Sequence, residues 1–281
     1  MKRIILSFFL CGTLCGAFAQ TESPSSQLLV QPRLINPSYG ANLQRIEGSL
    51  LYKNQWSGFD GAPQIINFNA RVPVKKLFGL GLLGNYEKSG FRKNTLIGLT
   101  ADVDIRLGHE SWLNFGLHLG AGMKRFDLSH AVSEVGEVIG ENFDQNYFVG
   151  GYGLSWVWKN LEIGASNYIS FLGEEEGEMY NVYVHGEYRL HFGNKWVLRP
   201  VVLYSYNNQW KNWVEPGVFC SYNNWLTLGV SDRIDEHVTF TVLLRIIDHL
   251  SLSYSYDVNT GNVRKLASSS HEVGLSFNLA Y

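Results

Sequence analysis

Leu113-Asn114-Phe115-Gly116-Leu117-His118-Leu119-Gly120-Ala121 places an apolar residue at every odd position and glycine or a polar residue at every even one. Successive side chains of a β-strand point to opposite faces, so a strict period of two describes a strand with one apolar and one polar face. The alternation recurs in Thr95 to Leu107: Ile97, Leu99, Val103 and Ile105 share one face, and Asp102, Asp104 and Arg106 the other. Leu250, Leu252, Tyr254 and Tyr256 alternate with Ser251, Ser253, Ser255 and Asp257. In the last segment Val273, Leu275, Phe277, Leu279 and Tyr281 alternate with Gly274, Ser276, Asn278 and Ala280. Strands of globular domains centre on about five or six residues, whereas a tilted strand that crosses an outer membrane needs about 9–11. Several runs here reach the longer value.

Composition agrees. Charged residues make up 17% of the chain and aromatics 14%, yet mean hydropathy is −0.08. After the N-terminal region no run approaches the roughly 18 consecutive apolar residues of a membrane helix. A wall that is apolar outside and polar inside satisfies both facts, because the two faces cancel in any hydropathy window. The expected fold is all-β, a transmembrane antiparallel outer-membrane β-barrel of about 14 strands. Candidate strands begin near residues 45, 62, 79, 94, 112, 146, 160, 178, 196, 212, 224, 237, 249 and 269, those near 160, 196 and 212 alternating poorly. A net charge of −2 gives no reason to expect a nucleic-acid partner.

Residues 1–19 read as a signal peptide: Lys2 and Arg3, an apolar run from Ile4 to Leu10, and Ala17-Phe18-Ala19 before Gln20. A lipoprotein signal at Cys11 or Cys15 is the minor alternative, since neither follows a good lipobox, and cleavage leaves Cys220 alone, which excludes an intramolecular disulfide. Residues 20–44 then form a Pro-containing segment, periplasmic or a plug, and 45–281 the barrel. Lys159-Asn160, Gly193-Asn194, Asn207-Asn208, Asn223-Asn224 and Asn259 to Asn262 supply turn chemistry. Asp127 to Gln145 and Gly173 to Glu178 read as longer loops on one side. Trp112, Trp156, Trp158, Trp196, Trp210, Trp213 and Trp225 lie near strand ends, where aromatic girdles form at the headgroup level.

Catalytic chemistry finds little support. The chain lacks HExxH, GxSxG, CxxC and a phosphate-cradling glycine loop, so no catalytic, cofactor or metal residue is assigned. His185, Glu187, Arg189 and His191 share a strand face and, with Asp102, Asp104 and Arg106, read as the lining of a polar lumen. A metal on the His-Glu-His face is the sharper alternative, but alternate strand positions alone do not build one. Glu174-Glu175-Glu176 lacks EF-hand spacing and reads as a solvated loop.

Three segments carry a family resemblance. Ile35-Asn36-Pro37-Ser38-Tyr39-Gly40 looks like an "INPAYAG" element, and Tyr52-Lys53-Asn54-Gln55-Trp56-Ser57-Gly58-Phe59-Asp60-Gly61-Ala62-Pro63 like "YRNQW-G-GAP". Ser253-Tyr254-Ser255-Tyr256-Asp257 with Ser270-His271-Glu272-Val273 is similar to a "YSYD…SHEI" ending, and Gly79 and Gly81 fit a Gly-x-Gly pair. Together they resemble the PorP/SprF family of type IX secretion proteins. Ser38 and the Gly40-Ala41 order depart from the "AYAG" pattern. The resemblance implies a non-enzymatic outer-membrane component of secretion and gliding machinery, needed for export or surface attachment of cargo such as adhesins. Its implied partners are outer-membrane lipids, periplasmic ring lipoproteins and the secreted cargo. The residues carried over are Asn36, Pro37, Tyr39, Gln55, Trp56, Gly58, Gly61, Pro63, Tyr256, Asp257, His271 and Glu272; a girdle Trp, an edge Pro and a plain turn are the architectural alternatives for Trp56, Pro63 and Asn36-Pro37. A passive porin is the competing function, and an outer-membrane hydrolase a third.

Overall fold

The computed structural model describes residues 25–280 except 41, 76, 129–141, 173–176, 266 and 268. The signal-peptide reading, the Glu174–Glu176 run and Tyr281 therefore fall outside the described residues. The chain forms β1 (Arg45–Asn54), β2 (Gln64–Lys75), β3 (Phe78–Ser89), β4 (Arg92–Gly108) and β5 (Ser111–Phe126). It continues through β6 (Phe143–Trp158), β7 (Leu161–Phe171), β8 (Glu178–Tyr188), β9 (Leu190–Phe192) and β10 (Trp196–Asn207). β11 (Trp213–Tyr222), β12 (Leu226–Arg233), β13 (His237–Ile247), β14 (Leu250–Asn259) and β15 (Ser269–Ala280) complete it. β8 and β9 are one strand interrupted at Arg189, and both pair with β10. Counted so, fourteen strands pair antiparallel in a ring, and β15 closes on β1 from Arg45↔Ala280 to Asn54↔His271. Closure leaves no sheet edge, which a bilayer demands because it offers backbone groups no partner.

The wall is inside-out relative to a soluble domain. On β5, Leu117 and Leu119 are 48% and 72% exposed while Asn114 and His118 are buried. On β4, Ile97 and Leu99 face outward and Thr100, Asp102 and Asp104 inward. That continuous apolar exterior is what lipid covers. The rim holding the start of β1 and the end of β15 carries short turns, among them Lys159 and Asn223-Asn224 at positive φ. The opposite rim carries every long connection. In barrels of this type short turns face the periplasm and long loops the exterior.

Three expectations need correction. The Asp127–Gln145 loop is shorter, because Phe143, Asp144 and Gln145 already pair with Phe126, Arg125 and Lys124. Likewise Glu178 pairs with Phe171 as the first residue of β8. In both cases cross-strand pairing overrode the polarity that marked a loop. The tryptophans also divide. Trp156, Trp158 and Trp196 are exposed on the outer face at the turn rim, beside Trp225 in its turn. Trp112 sits at that rim on the inner face under the Arg106 guanidinium, 6.0 Å from its ring centre. Trp210 and Trp213, at the loop rim, pack into the lumen, where the Arg233 guanidinium lies 4.2 Å over Trp213. A desolvated cation is stabilised by a ring face, and lipid supplies none.

Candidate functional site

The lumen is filled by the chain's own N-terminal segment. Ser25 to Gly40 runs from the loop rim to the turn rim, and its polar atoms meet the wall throughout. At the loop end, Ser25 Oγ and the Ser26 N–H each donate to the Glu272 carboxylate at 2.6 Å, and Ser26 Oγ donates to Asp257 at 2.6 Å. Lys53 Nζ lies 3.3 Å from Asp257, and Arg233 Nη2 donates to the Ser25 carbonyl at 3.4 Å. Midway, Gln31 Nε2 donates to Ser276 (2.7 Å) and Arg199 Nη1 to the Leu29 carbonyl (3.0 Å). At the turn end Arg33 reaches Glu47 (3.1 Å) and Asp102 (3.3 Å). Asp102 is also gripped by Arg71 at 2.7–3.1 Å.

Local sequence explains the path. Leu28, Leu29 and Ile35 bury against Val201, Leu203 and Phe219 of β10 and β11. Val201, Leu203 and Phe219 put apolar residues on the inner faces of those two strands, which is why their alternation is poor in the sequence. Pro32–Leu34 makes a single 3-10 turn with proline at its start, where no N–H is needed. A tight turn follows: the Tyr39 N–H donates to the Asn36 carbonyl (3.2 Å), with Pro37 preset at the second position. Asn36 Oδ1 accepts from the Ser38 N–H (3.0 Å) and Ser38 Oγ (2.7 Å), and Ser38 Oγ bonds Ser155 on the wall. Wall glycines make the seat. A Cβ at Gly116 would lie 2.5 Å from Ser38 N, and one at Gly153 would lie 2.9 Å from Pro37 Cδ and overlap Asn36 Oδ1. Gly79 similarly clears the Arg71–Asp102 ion pair.

The carried-over residues fall into two places. Asn36, Pro37 and Tyr39 form the turn deep in the lumen toward the turn rim, Asn36 and Pro37 buried. The others gather at the loop rim. Gln55 N–H donates to the Pro63 carbonyl (2.9 Å), closing the β1–β2 loop, and Pro63 is buried beneath it. Trp56, Gly58 and Gly61 hold positive φ angles of 53°, 91° and 75° that shape the loop. Trp56 N–H donates to Ser270 Oγ (3.0 Å) and Ser57 N–H to the Ser269 carbonyl (2.9 Å), so the loop leans on β15. There Asp257 and Glu272 point inward to Ser25 and Ser26, while Tyr256 and His271 pair on the outer face with ring centres 5.1 Å apart.

Ser25, Ser26, Gln27, Arg33, Arg71, Arg233 and Glu215 were not singled out from sequence. Arg233 and Glu215 pair at 2.8 Å, both side chains almost fully buried. Inward parity on their strands marks them as lumenal, but which carboxylate meets which cation depends on ring closure. The predicted lumen face is present: Glu187 is buried and paired to Arg199 (2.6 Å) and to Arg189, and His185 and Asp102 are buried. His191 and Arg106 lie exposed near the turn rim.

The family model described as type IX secretion system membrane protein PorP/SprF matches residues 17–277. The chain belongs to the PorP/SprF family. No curated protein sequence matches it. Among solved structures, the chain is similar to the Ralstonia pickettii toluene transporter TbuX, with TM-score 0.56 and 10% identity over 88% of this chain and 92% of that one. It is also similar to the P. putida toluene transporter TodX, with TM-score 0.51 and 12% identity over 89% of this chain and 94% of that one. At such identities the likeness concerns the barrel fold. Family and fold together make this PorP/SprF protein a type IX secretion component of the bacterial outer membrane.

Proposed function

We propose that this PorP/SprF barrel is a non-enzymatic docking platform, sealed through its lumen, that supports export or surface attachment of particular cargo such as an adhesin. The supporting observation is the N-terminal segment, pinned by charged groups near both rims and by apolar packing between them. A sealed barrel offers its rims. The loop rim, where the Gln55–Pro63 loop leans on β15, is the surface for cargo. The short turns face the periplasm and are the surface for the machine's ring lipoproteins.

The test is deletion of the gene followed by comparison of secreted and surface proteins with the parent strain. Loss of specific exported proteins at unchanged outer-membrane permeability is expected. An unaltered set of exported proteins with slower uptake of small solutes overturns the reading. It would promote the channel alternative, which draws on the likeness to the toluene transporters TbuX and TodX and on a cavity of about 130 Å³ between the plug and the wall, lined by Leu83, Leu96, His118 and Tyr168.

A further inference from the structure

We propose that the outer wall of β3, β4 and β5 carries a binding site for a phosphorylated lipid headgroup of the outer leaflet. Among the described residues, the outward positions of the strands carry three cations, Lys88, Lys93 and Arg125, and all three are cross-strand neighbours. Lys88 stands directly opposite Lys93, and Lys93 directly opposite Arg125. Side chains so placed have Cβ atoms about 5 Å apart, and like charges at such positions repel. A protein that sets three in a row without an anion destabilises its own wall.

The compensation inside the molecule is partial. Arg125 donates from Nε and Nη2 to Asp144 at 2.9 and 3.0 Å, which leaves its other N–H groups available. Lys88 and Lys93 form no ion pair among the described residues. The row therefore keeps net positive charge on a face turned toward the membrane.

Its height fits lipid. The row is the last outward row before the β3–β4 turn at the loop rim. Immediately below it stand Tyr86, Thr95 and Met123, then Leu82, Ile97, Leu99, Leu117 and Leu119, exposed on the same three strands. Acyl chains cover that lower surface, which puts the cations at the level of outer-leaflet phosphates. Cations near an anionic lipid surface gain about 1 kcal/mol each.

The experiment uses the full chain in neutral detergent, incubated with diphosphorylated lipid A and examined by native mass spectrometry. Heat-modifiable gel migration reports whether each barrel is folded. Wild type is expected to retain lipid A, and Lys88→Gln/Lys93→Gln to bind it roughly 30-fold more weakly. Equal retention by both proteins overturns the proposal, as does equal retention of a zwitterionic phosphatidylcholine. Displacement of lipid A by equimolar inorganic phosphate also overturns it, assigning the row to a free anion. If the variant does not fold, wild type at about 1 M salt, where the screening length is roughly 3 Å, decides the matter: undiminished retention there refutes the site.

Discussion

Gly116 and Gly153 face the lumen on adjacent strands and together cradle the Asn36–Ser38 turn, so Gly116→Ala/Gly153→Ala should dislodge the plug. The added methyls would stand 2.5 Å from Ser38 N and 2.9 Å from Pro37 Cδ, where ordinary contact begins near 3.4 Å. Relief requires a shift of up to about 1.4 Å, set by the Gly153 methyl against Asn36 Oδ1, and overpacking of this kind costs about 1–3 kcal/mol per site. The wall will not supply the shift, because β5 and β6 are locked in register from Ser111↔Trp158 to Phe126↔Phe143. Besides the Tyr39 hydroxyl at Arg189, the turn holds its seat through few bonds: Ser38 to Ser155, Ser166 to the Ile35 carbonyl and Asn36 Nδ2 to the Leu154 carbonyl. Neutral hydrogen bonds contribute about 0.5–1.5 kcal/mol each, so two methyls outweigh or match them and the turn leaves. Alanine is a better strand residue than glycine, so the barrel itself should stay folded. Planar-bilayer recording is expected to show a closed wild type and opening events in the double variant. Gly150→Ala, where a Cβ meets open space, should behave as wild type. A double variant that stays closed with unchanged melting refutes the argument, and so does one whose barrel no longer folds.

Lys53→Met leaves Asp257 and Glu272 as neighbouring buried carboxylates without their cation; a loss of about 3–5 kcal/mol is expected, read as a lower temperature for losing heat-modifiable migration. Arg33→Met should cost less, because Asp102 keeps Arg71 and Glu47 keeps Arg45; proteolysis of the N-terminal segment should nevertheless accelerate, and unchanged digestion kinetics would count against Arg33 as an anchor. Gly61→Val forces a β-branched residue to a φ near 75°, at a cost of about 1–3 kcal/mol confined to the β1–β2 loop. Barrel melting should then be unchanged while cargo display at the cell surface, measured by antibody labelling, falls; intact display would remove that loop from the docking surface.

Period-two patterning is a local property, and it determined most of this fold from sequence alone. Each transmembrane strand meets lipid on one side and a polar lumen on the other, so Leu117 and His118 declare their faces without reference to any partner. Strand starts near 45, 237 and 269 are legible for that reason, and the turn at Asn223 follows from asparagine's tolerance of positive φ. The three motif segments pointed to the family in the same way, as short stretches of chain. Tertiary structure decided the rest. Val201, Leu203 and Phe219 blur the alternation of β10 and β11 because a distant segment packs on their inner face. Trp210 and Trp213 turn inward, Trp213 beneath the Arg233 guanidinium. Ser25 meets Glu272 across 247 residues of chain, a pairing that no local pattern encodes. It exists only because β15 closes on β1 and brings both ends of the sequence into one lumen, where buried charges must find each other or be left without a partner.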